Sequence, residues 1–148
     1  MAAILALSGI GMMVGLSGAG SVIGIVISGS AVIGMVKKRP EKFANGIILC
    51  SLPATHGLYG FVAFIMYNDS MREAISMFQA SVVFGAGFAV GLVTLIAGIY
   101  QGRVIAAGLA ALGSGHEVFG STFILAAFPE FYAILALVAA ILMKNLMI

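Results

Sequence analysis

Residues 118–143, VFGSTFILAAFPEFYAILALVAAILM, decide the fold and contain a single acidic residue, Glu130. An α-helix rises about 1.5 Å per residue, and roughly 20 residues cross a hydrocarbon layer of about 30 Å. The stretch is long enough for such a crossing, and Glu130 lies midway between its two ends. Glu130 is therefore predicted to lie near the middle of a membrane-spanning helix.

A carboxyl group in the middle of a membrane is costly and therefore indicates a function. Insertion scales put the cost of an acidic residue at a helix centre at about 2.5–3.5 kcal/mol. Because a low dielectric disfavours the charged form, Glu130 is expected to rest neutral, either protonated or holding a cation. Such a carboxyl is a carrier site for a small cation. The alternative is a structural polar group bonded to a neighbouring helix, which a glutamine or serine would provide at lower cost.

The composition indicates an integral membrane protein with little mass outside the bilayer. Of the 148 residues, 62% are hydrophobic and 8% are charged, whereas soluble domains have about 25% charged residues. The net charge of +2 is too small to suggest a nucleic-acid partner, and Cys50 is the single cysteine, so no intramolecular disulfide forms. The sequence contains no Walker loop, nucleophile triad or dinucleotide fingerprint, which predicts that the chain does not itself hydrolyse ATP.

Four apolar spans separated by short polar turns predict an all-α membrane protein. The spans are residues 3–36, 43–67, 75–112 and 118–143. Short turns favour antiparallel hairpins, so the chain is divided into a first hairpin, 1–73, and a second hairpin, 74–148. Four of the seven Lys and Arg residues lie in the first turn. The positive-inside bias then places both termini on the non-cytoplasmic side.

The second hairpin repeats the first, with the sequence from Glu41 onward matching the sequence from Glu117 onward. The same offset pairs Pro53 with Pro129 and places Ala54 opposite Glu130, so only the second hairpin carries the carboxyl. Glycines concentrate in spans one and three, several of them at every fourth position. Small residues at that spacing let helix backbones approach closely in lipid. The first helix of each hairpin is expected to pack tightly, which suits many hairpins crowded into a ring.

Polar residues of two other spans are predicted to lie at the depth of Glu130. Counted from the turns, Thr55, His56 and Gln101 fall within about one helical turn, or about 5.4 Å, of that depth. The Thr hydroxyl and the Gln carbonyl are oxygen donors that suit a hard cation. Tyr59, one turn beyond Thr55, is placed to hold the carboxylate by its hydroxyl. No spacing of His, Cys or Asp indicates a transition-metal site.

The two prolines are predicted to open room for an ion. Pro53 and Pro129 each remove a helix hydrogen bond, which would free the carbonyls of Leu49 and Leu125. A kink at either proline would widen the space beside the carboxyl.

These residues resemble the membrane rotor proteolipid of V/A-type ATPases, which is called K or c in different members. The similarity covers nearly the whole chain and is most specific in LPATHGLYGF (52–61), QGRV (101–104) and PEFYAI (129–134). The resemblance implies a homo-oligomeric ring in the lipid bilayer, turning against a stator membrane subunit and joined by a central stalk to a soluble ATPase head. It implies ion translocation without catalysis by this chain, in a prokaryotic cell membrane.

The resemblance also implies an ion site. In sodium-transporting members the ligands match Glu130, Gln101, Thr55 and the carbonyl of Leu52, and the family's tyrosine matches Tyr59. His56 stands where those members have a second glutamine, and an imidazole nitrogen suits a hard cation less well than an amide oxygen. No cofactor is expected, and the carried ion stays open between Na⁺ and H⁺. Retaining Gln101 and Thr55 exceeds what a proton requires and favours sodium, whereas a proton site would have His56 hydrogen-bonded to Glu130.

Two other functions remain compatible with the sequence. Small cation-coupled antiporters also have four short helices and one intramembrane glutamate. Their glutamate lies in the first helix, and they usually contain tryptophan, which this chain lacks. A structural four-helix scaffold would have no use for Glu130. Oligomer size separates a large rotor ring from an antiporter dimer.

Overall fold

The computed structural model describes residues 1–69 and 74–147, which form a helical bundle. The helices are α1 (Ala2–Val36), α2 (Phe43–Ser51), α3 (Ala54–Asn68), α4 (Met77–Gly113) and α5 (Phe119–Lys144). Because α2 and α3 together make one span, four segments of the described chain are long and apolar enough to cross a membrane. The predicted all-α fold with four spans is confirmed. Most of the turn predicted at 68–73, and the predicted hairpin boundary at its end, lie outside the described residues.

The centre of the bundle is the pair formed by α1 and α4, which make the most extensive helix–helix contact in the described chain. Glycines of one helix lie directly against glycines of the other: Gly9 on Gly87, Gly20 on Gly98, and Gly24 on Gly102. The two glycines of each pair are separated by the same number of residues in the sequence. The helices α1 and α4 therefore run in the same direction. The hydroxyls of Ser17 and Thr94, 2.6 Å apart and buried, link the two helices between these contacts. Small residues therefore set the close packing that the sequence predicted.

The glycines of α1 serve two different surfaces. Gly20 and Gly24 are buried against α4. A side-chain carbon at Gly11, Gly15 or Gly18 would meet nothing from other parts of the described chain within 4 Å. The glycines of the first span therefore do not form one continuous contact face. The unpartnered glycine face, defined by Gly11, Gly15 and Gly18, lies open on the outside of the single chain.

The outer helices α3 and α5 pack beside this central pair and touch each other. The buried side of α5 consists of small residues: Thr122, Ala126, Ala133 and Ala140. The other sides of α5 present large apolar side chains such as Phe128, Phe131 and Leu135. Of the four spans, α5 is the least buried and α4 the most. The helix that carries Glu130 is therefore an outer helix, suited to contact with lipid or with another protein.

The two prolines have different effects on their helices. Pro53 and Leu52 separate α2 from α3, whereas Pro129 lies inside the continuous helix α5. The carbonyl of Leu49 accepts a hydrogen bond from the N–H of Leu52 at 3.2 Å. The prediction that this carbonyl is free is wrong, because the end of α2 tightens into a turn with a bond to the third residue back.

Ion pairs join the two loops at one end of the bundle. Glu117, between α4 and α5, contacts Lys42 at 2.6 Å and Arg39 at 3.1 Å, while Arg39 also contacts Glu41 at 2.8 Å. The first and third turns therefore lie on the same side, as predicted. The hydrogen bonds from Lys42 and Arg39 hold the pKa of the Glu117 carboxyl below its ordinary value.

We expect Glu117→Gln to lower stability in a pH-dependent way. Because the pKa of Glu117 is lowered in the folded chain, its ion pairs stabilise the fold above the ordinary pKa, and this contribution is lost as the pH falls through the lowered value. Wild type should therefore melt above the variant at neutral pH and together with it in acid, by circular dichroism in detergent. Glu41→Gln, which removes a pair within one loop, is the control with the smaller expected effect. A difference that does not change with pH would contradict this account.

Candidate ion-carrier site

Three spans meet at the carboxylate of Glu130, whose side chain is 17% exposed. Tyr59 of α3 donates its hydroxyl to one carboxylate oxygen. Gln101 of α4 donates its side-chain N–H to the other oxygen at 2.9 Å. The contact expected between Tyr59 and Glu130 is therefore present, and Gln101, which was predicted to lie at the depth of Glu130, contacts it as well.

Gln101 is fixed in one orientation by a second hydrogen bond. Its amide nitrogen also donates to the backbone carbonyl of Ala126 at 2.8 Å. Because a carbonyl can only accept, the NH₂ group must lie on this side of the amide, facing both Ala126 and Glu130. The amide oxygen of Gln101 is buried and has no hydrogen-bond partner in the described chain. Sequence reasoning missed Ala126, for which the available signal was its position one helical turn before Glu130.

Thr55 and Leu52 lie together at the junction between α2 and α3. The carbonyl of Leu52 accepts the Thr55 hydroxyl at 2.8 Å and the Thr55 backbone N–H at 3.2 Å. Thr55 lies one helical turn before Tyr59 in α3, so the two residues share a face of that helix. The structure thus places Thr55 next to the residue that holds Glu130, while the Leu52 carbonyl already has two donors.

His56 lies in the core of the bundle with 0% of its side chain exposed. Its Nδ1 is 4.0 Å from the nearer oxygen of Glu130, beyond the roughly 3.2 Å limit of an N–H···O hydrogen bond. Neither ring nitrogen has a hydrogen-bond partner in the described residues. The direct hydrogen bond considered between His56 and Glu130 is therefore not formed in this structure.

The arrangement can hold a single positive charge beside Glu130. Within residues 1–69 and 74–147 there is no group of three or more His, Cys, Asp or Glu side chains able to bind a metal ion, so nothing there supports a transition-metal centre. The chemistry available is that of one carboxylate, two donors and a neighbouring imidazole. That set suits reversible binding of a monovalent cation or a proton, and the roles of Leu52, Thr55, His56, Tyr59 and Gln101 as ligands remain predictions.

Comparison with known families finds the duplication directly. The family model described as the ATP synthase C subunit matches the chain twice, over residues 8–67 and 84–143. The second match is offset from the first by the same distance at its beginning and at its end. This offset is also the one that pairs Pro53 with Pro129, so the duplicated hairpins are confirmed.

Individual relatives carry names from the same group of proteins. The A-type ATP synthase subunit K of Methanocaldococcus jannaschii is 38% identical over 140 residues, which are 95% of this chain and 61% of that relative. The V-type sodium ATPase subunit K of Enterococcus hirae is 34% identical over 143 residues, 97% of this chain and 86% of the relative. The 16 kDa proteolipid of the V-type proton ATPase of Homo sapiens is 27% identical over 118 residues, 80% of this chain and 76% of the relative. The chain therefore belongs to the family of ATP synthase C subunits and, within it, to the c-ring proteolipids of V- and A-type ATPases.

Proposed function

We propose that the chain is one copy of a homo-oligomeric rotor ring in a V/A-type ATPase, in which Glu130 carries one Na⁺ or H⁺ across the membrane. The observation that supports this most directly is the partly exposed carboxylate in the middle of α5, held by donors from α3 and α4. Its depth and partial exposure let an ion enter from outside the single chain. The names of the relatives, which include both a sodium and a proton ATPase, support the same role.

The difference in charge between the loaded and the empty Glu130 couples ion flow to rotation. A loaded Glu130 is neutral and crosses a lipid-facing position at low cost. An unloaded Glu130 is an anion, and placing it against lipid costs several kcal/mol, on the order of the insertion scales. The empty site must therefore face a cationic group of the stator until it is reloaded. Rotation in which each carboxyl alternates between these two environments couples ion flow to turning of the ring.

Tyr59 and Gln101 have a positioning role in this cycle. Both donate to the Glu130 carboxylate, so the side chain is held in one orientation on its outer helix. The Ala126 carbonyl fixes Gln101 in turn. A carboxylate that is already oriented loses little conformational freedom when an ion binds, which favours rapid loading and release.

The rest of the proposal concerns the complex around the chain. ATP is hydrolysed or made by a separate soluble head, connected through a central stalk, and this chain is not itself catalytic. We expect the basic first turn and the loop containing Glu117 to lie in the cytoplasm, and both termini to lie on the opposite side of a prokaryotic cell membrane. The cation-coupled antiporter is set aside, because no comparison favours it.

Ring formation is the prediction that separates a rotor from an antiporter. The unpartnered glycine face of α1 and the large apolar side chains of α5 leave two surfaces for neighbouring copies. Purified in a mild detergent, the protein is expected to appear in native mass spectrometry as a closed oligomer much larger than a dimer. A monomer or dimer in several detergents would contradict the rotor proposal and would fit an antiporter better.

A further inference from the structure

We propose that Arg103 and Tyr100 of α4 bind the phosphate of an anionic phospholipid, and that an acyl chain of this lipid fills the apolar groove between α4 and α5. The proposal concerns a face of α4 that takes no part in the ion site, and it does not depend on which ion Glu130 carries. Three observations support it: the direction of the Arg103 side chain, the lack of an acidic partner for it in the described chain, and the groove beside Tyr100.

The Arg103 side chain points away from the nearer end of its helix. Arg103 is exposed and lies about 15 Å before Gly113, the last residue of α4. Its guanidinium carbon is 5.0 Å from the centre of the Tyr100 ring, which is one turn further from that end. Long cationic side chains in membranes usually extend toward water, but side chains in helices lean toward the N-terminus, which for α4 is the far end. The positive charge therefore stays inside the span.

No ion pair among the described residues includes Arg103. The carboxyl within the spans, Glu130, is contacted by Gln101. Residues two positions apart on a helix do not share a face, and Gln101 is buried whereas Arg103 is exposed. Because an arginine stays charged, and a charge inside a membrane is costly unless it is paired, the counter-ion of Arg103 has to come from outside the described chain.

An apolar groove begins at Tyr100 and extends along α4 away from Arg103. Its volume is about 420 Å³, within the range of about 300–1,000 Å³ that is usual for ligand pockets. The walls include Val93, Ile96 and Tyr100 of α4 and Phe128 and Tyr132 of α5. Between Val93 and Tyr100 the wall formed by α4 is about 10 Å long. The charge of Arg103 and an apolar surface therefore lie on opposite sides of one tyrosine.

A phospholipid satisfies both features with one molecule. Phosphate is an anion that a guanidinium binds with two parallel hydrogen bonds, and tyrosine is enriched at the depth of lipid headgroups. A free phosphate would leave the groove empty. A neighbouring copy could fill the groove with apolar side chains, but the acidic residue that its described chain has near this depth is Glu130, which contacts Gln101 of its own copy. The lipid is therefore the occupant that matches the charge and the groove together.

The length of α4 leaves room for a headgroup at Arg103. The helix has 37 residues and is about 55 Å long, whereas the hydrocarbon layer is about 30 Å thick. About 40 Å of helix, from Met77 to Arg103, remains beside the acyl chains. Bilayers accommodate charged residues by thinning locally, so the bound lipid is drawn inward at this point. Its negative charge then offsets a fixed positive charge at nearly the depth of Glu130.

The experiment measures phospholipid binding by native mass spectrometry, with the purified protein in the oligomeric state that a mild detergent extracts. Phosphatidylglycerol and phosphatidylcholine with the same acyl chains are added to delipidated protein. The wild-type protein is expected to bind phosphatidylglycerol more tightly. Arg103→Gln should weaken phosphatidylglycerol binding about tenfold, the effect of losing one charge-assisted hydrogen bond, and bring it close to the binding of phosphatidylcholine. Inorganic phosphate should not displace the lipid, because it makes no contact with the groove.

Arg39→Gln makes the same substitution at an arginine that is paired with Glu41 and Glu117, and it should leave the preference for phosphatidylglycerol unchanged. Arg103→Lys keeps the charge without the planar fork, and it should weaken binding by a smaller factor if Arg103→Gln does not fold. Equal wild-type affinities for the two lipids, or an unchanged affinity in the Arg103 variants, would overturn the proposal. Displacement by inorganic phosphate would assign the site to a free anion instead. An Arg103 variant that loses the oligomer but binds both lipids like wild type would show that a second copy covers this face.

Discussion

Glu130→Gln is expected to abolish ion transport by the assembled ATPase while the ring still forms. The amide has nearly the same size as the carboxyl and retains an oxygen that can accept from Tyr59 or Gln101. It cannot become an anion, so it can neither load an ion nor respond to the stator's positive charge. Since every copy loses the group that binds the cargo, ATP-driven ion uptake into vesicles should fall to background. Native mass spectrometry of the same preparation checks the ring.

Glu117→Gln is the matched control for this prediction. It makes the same substitution at a carboxylate that is exposed and paired with Lys42 and Arg39. Transport in this variant should remain close to wild type when it is assayed at a temperature where the ring is stable. Wild-type transport in the Glu130 variant would refute the carrier role of this carboxyl, whatever the oligomeric state.

Gly20→Ala is expected to destabilise the bundle by about 1–3 kcal/mol, the usual cost of overpacking. A Cβ at this position would lie 2.5 Å from the Cα of Leu95 and 2.7 Å from the carbonyl oxygen of Thr94. Both neighbours are backbone atoms, so no side chain can rotate away and α1 must move off α4. The buried hydrogen bond between Ser17 and Thr94 would be strained by that movement. Thermal unfolding in detergent measures the loss.

Gly120→Ala separates this clash from the general effect of replacing a glycine in a helix. Gly120 is exposed in the first turn of α5, and a Cβ there meets nothing within 4 Å in the described chain. Alanine has a helix propensity higher than glycine by about 1 kcal/mol, so this variant should be as stable as wild type or slightly more stable. Equal melting temperatures for the two variants would contradict the packing account.

The contact between Gln101 and Glu130 was predictable because the depth of a residue in a membrane-spanning helix can be counted from the turns. Helices rise by a constant distance per residue, so counting from the turns placed Thr55, Gln101 and Glu130 at one level. Counting residues gives the depth of a side chain, but it does not give the neighbouring helix that the side chain contacts or its orientation there. The orientation of Gln101 depends on Ala126, whose contribution is a backbone carbonyl without any side-chain signal. The 4.0 Å separation of His56 and Glu130 likewise depends on how the helices pack against each other, which counting along the sequence does not give.

The two prolines show that local sequence alone does not determine whether a proline breaks a helix. Pro53 and Pro129 occupy equivalent positions of the repeat, yet one separates two helices and the other lies inside a continuous helix. Proline removes the same hydrogen bond in both cases. Whether the chain then breaks depends on the neighbouring helices, and Pro53 packs close to Gly24 of α1. Such contacts arise only when the helices come together, so the sequence of either span alone does not contain them.

The alanine at the position of a carboxyl in the first hairpin determines how many ions the ring moves in one turn. Each copy brings four spans but one intramembrane carboxyl, since Ala54 stands where the repeat would place a second. A ring of given circumference thus moves half the charges per turn that it would move with a carboxyl on every hairpin. Each charge that crosses the membrane potential changes in energy by about 2.3 kcal/mol per 100 mV. When fewer charges share the work of one turn, each can be driven against a proportionally steeper gradient. The ring therefore moves fewer ions per turn but can maintain a larger gradient.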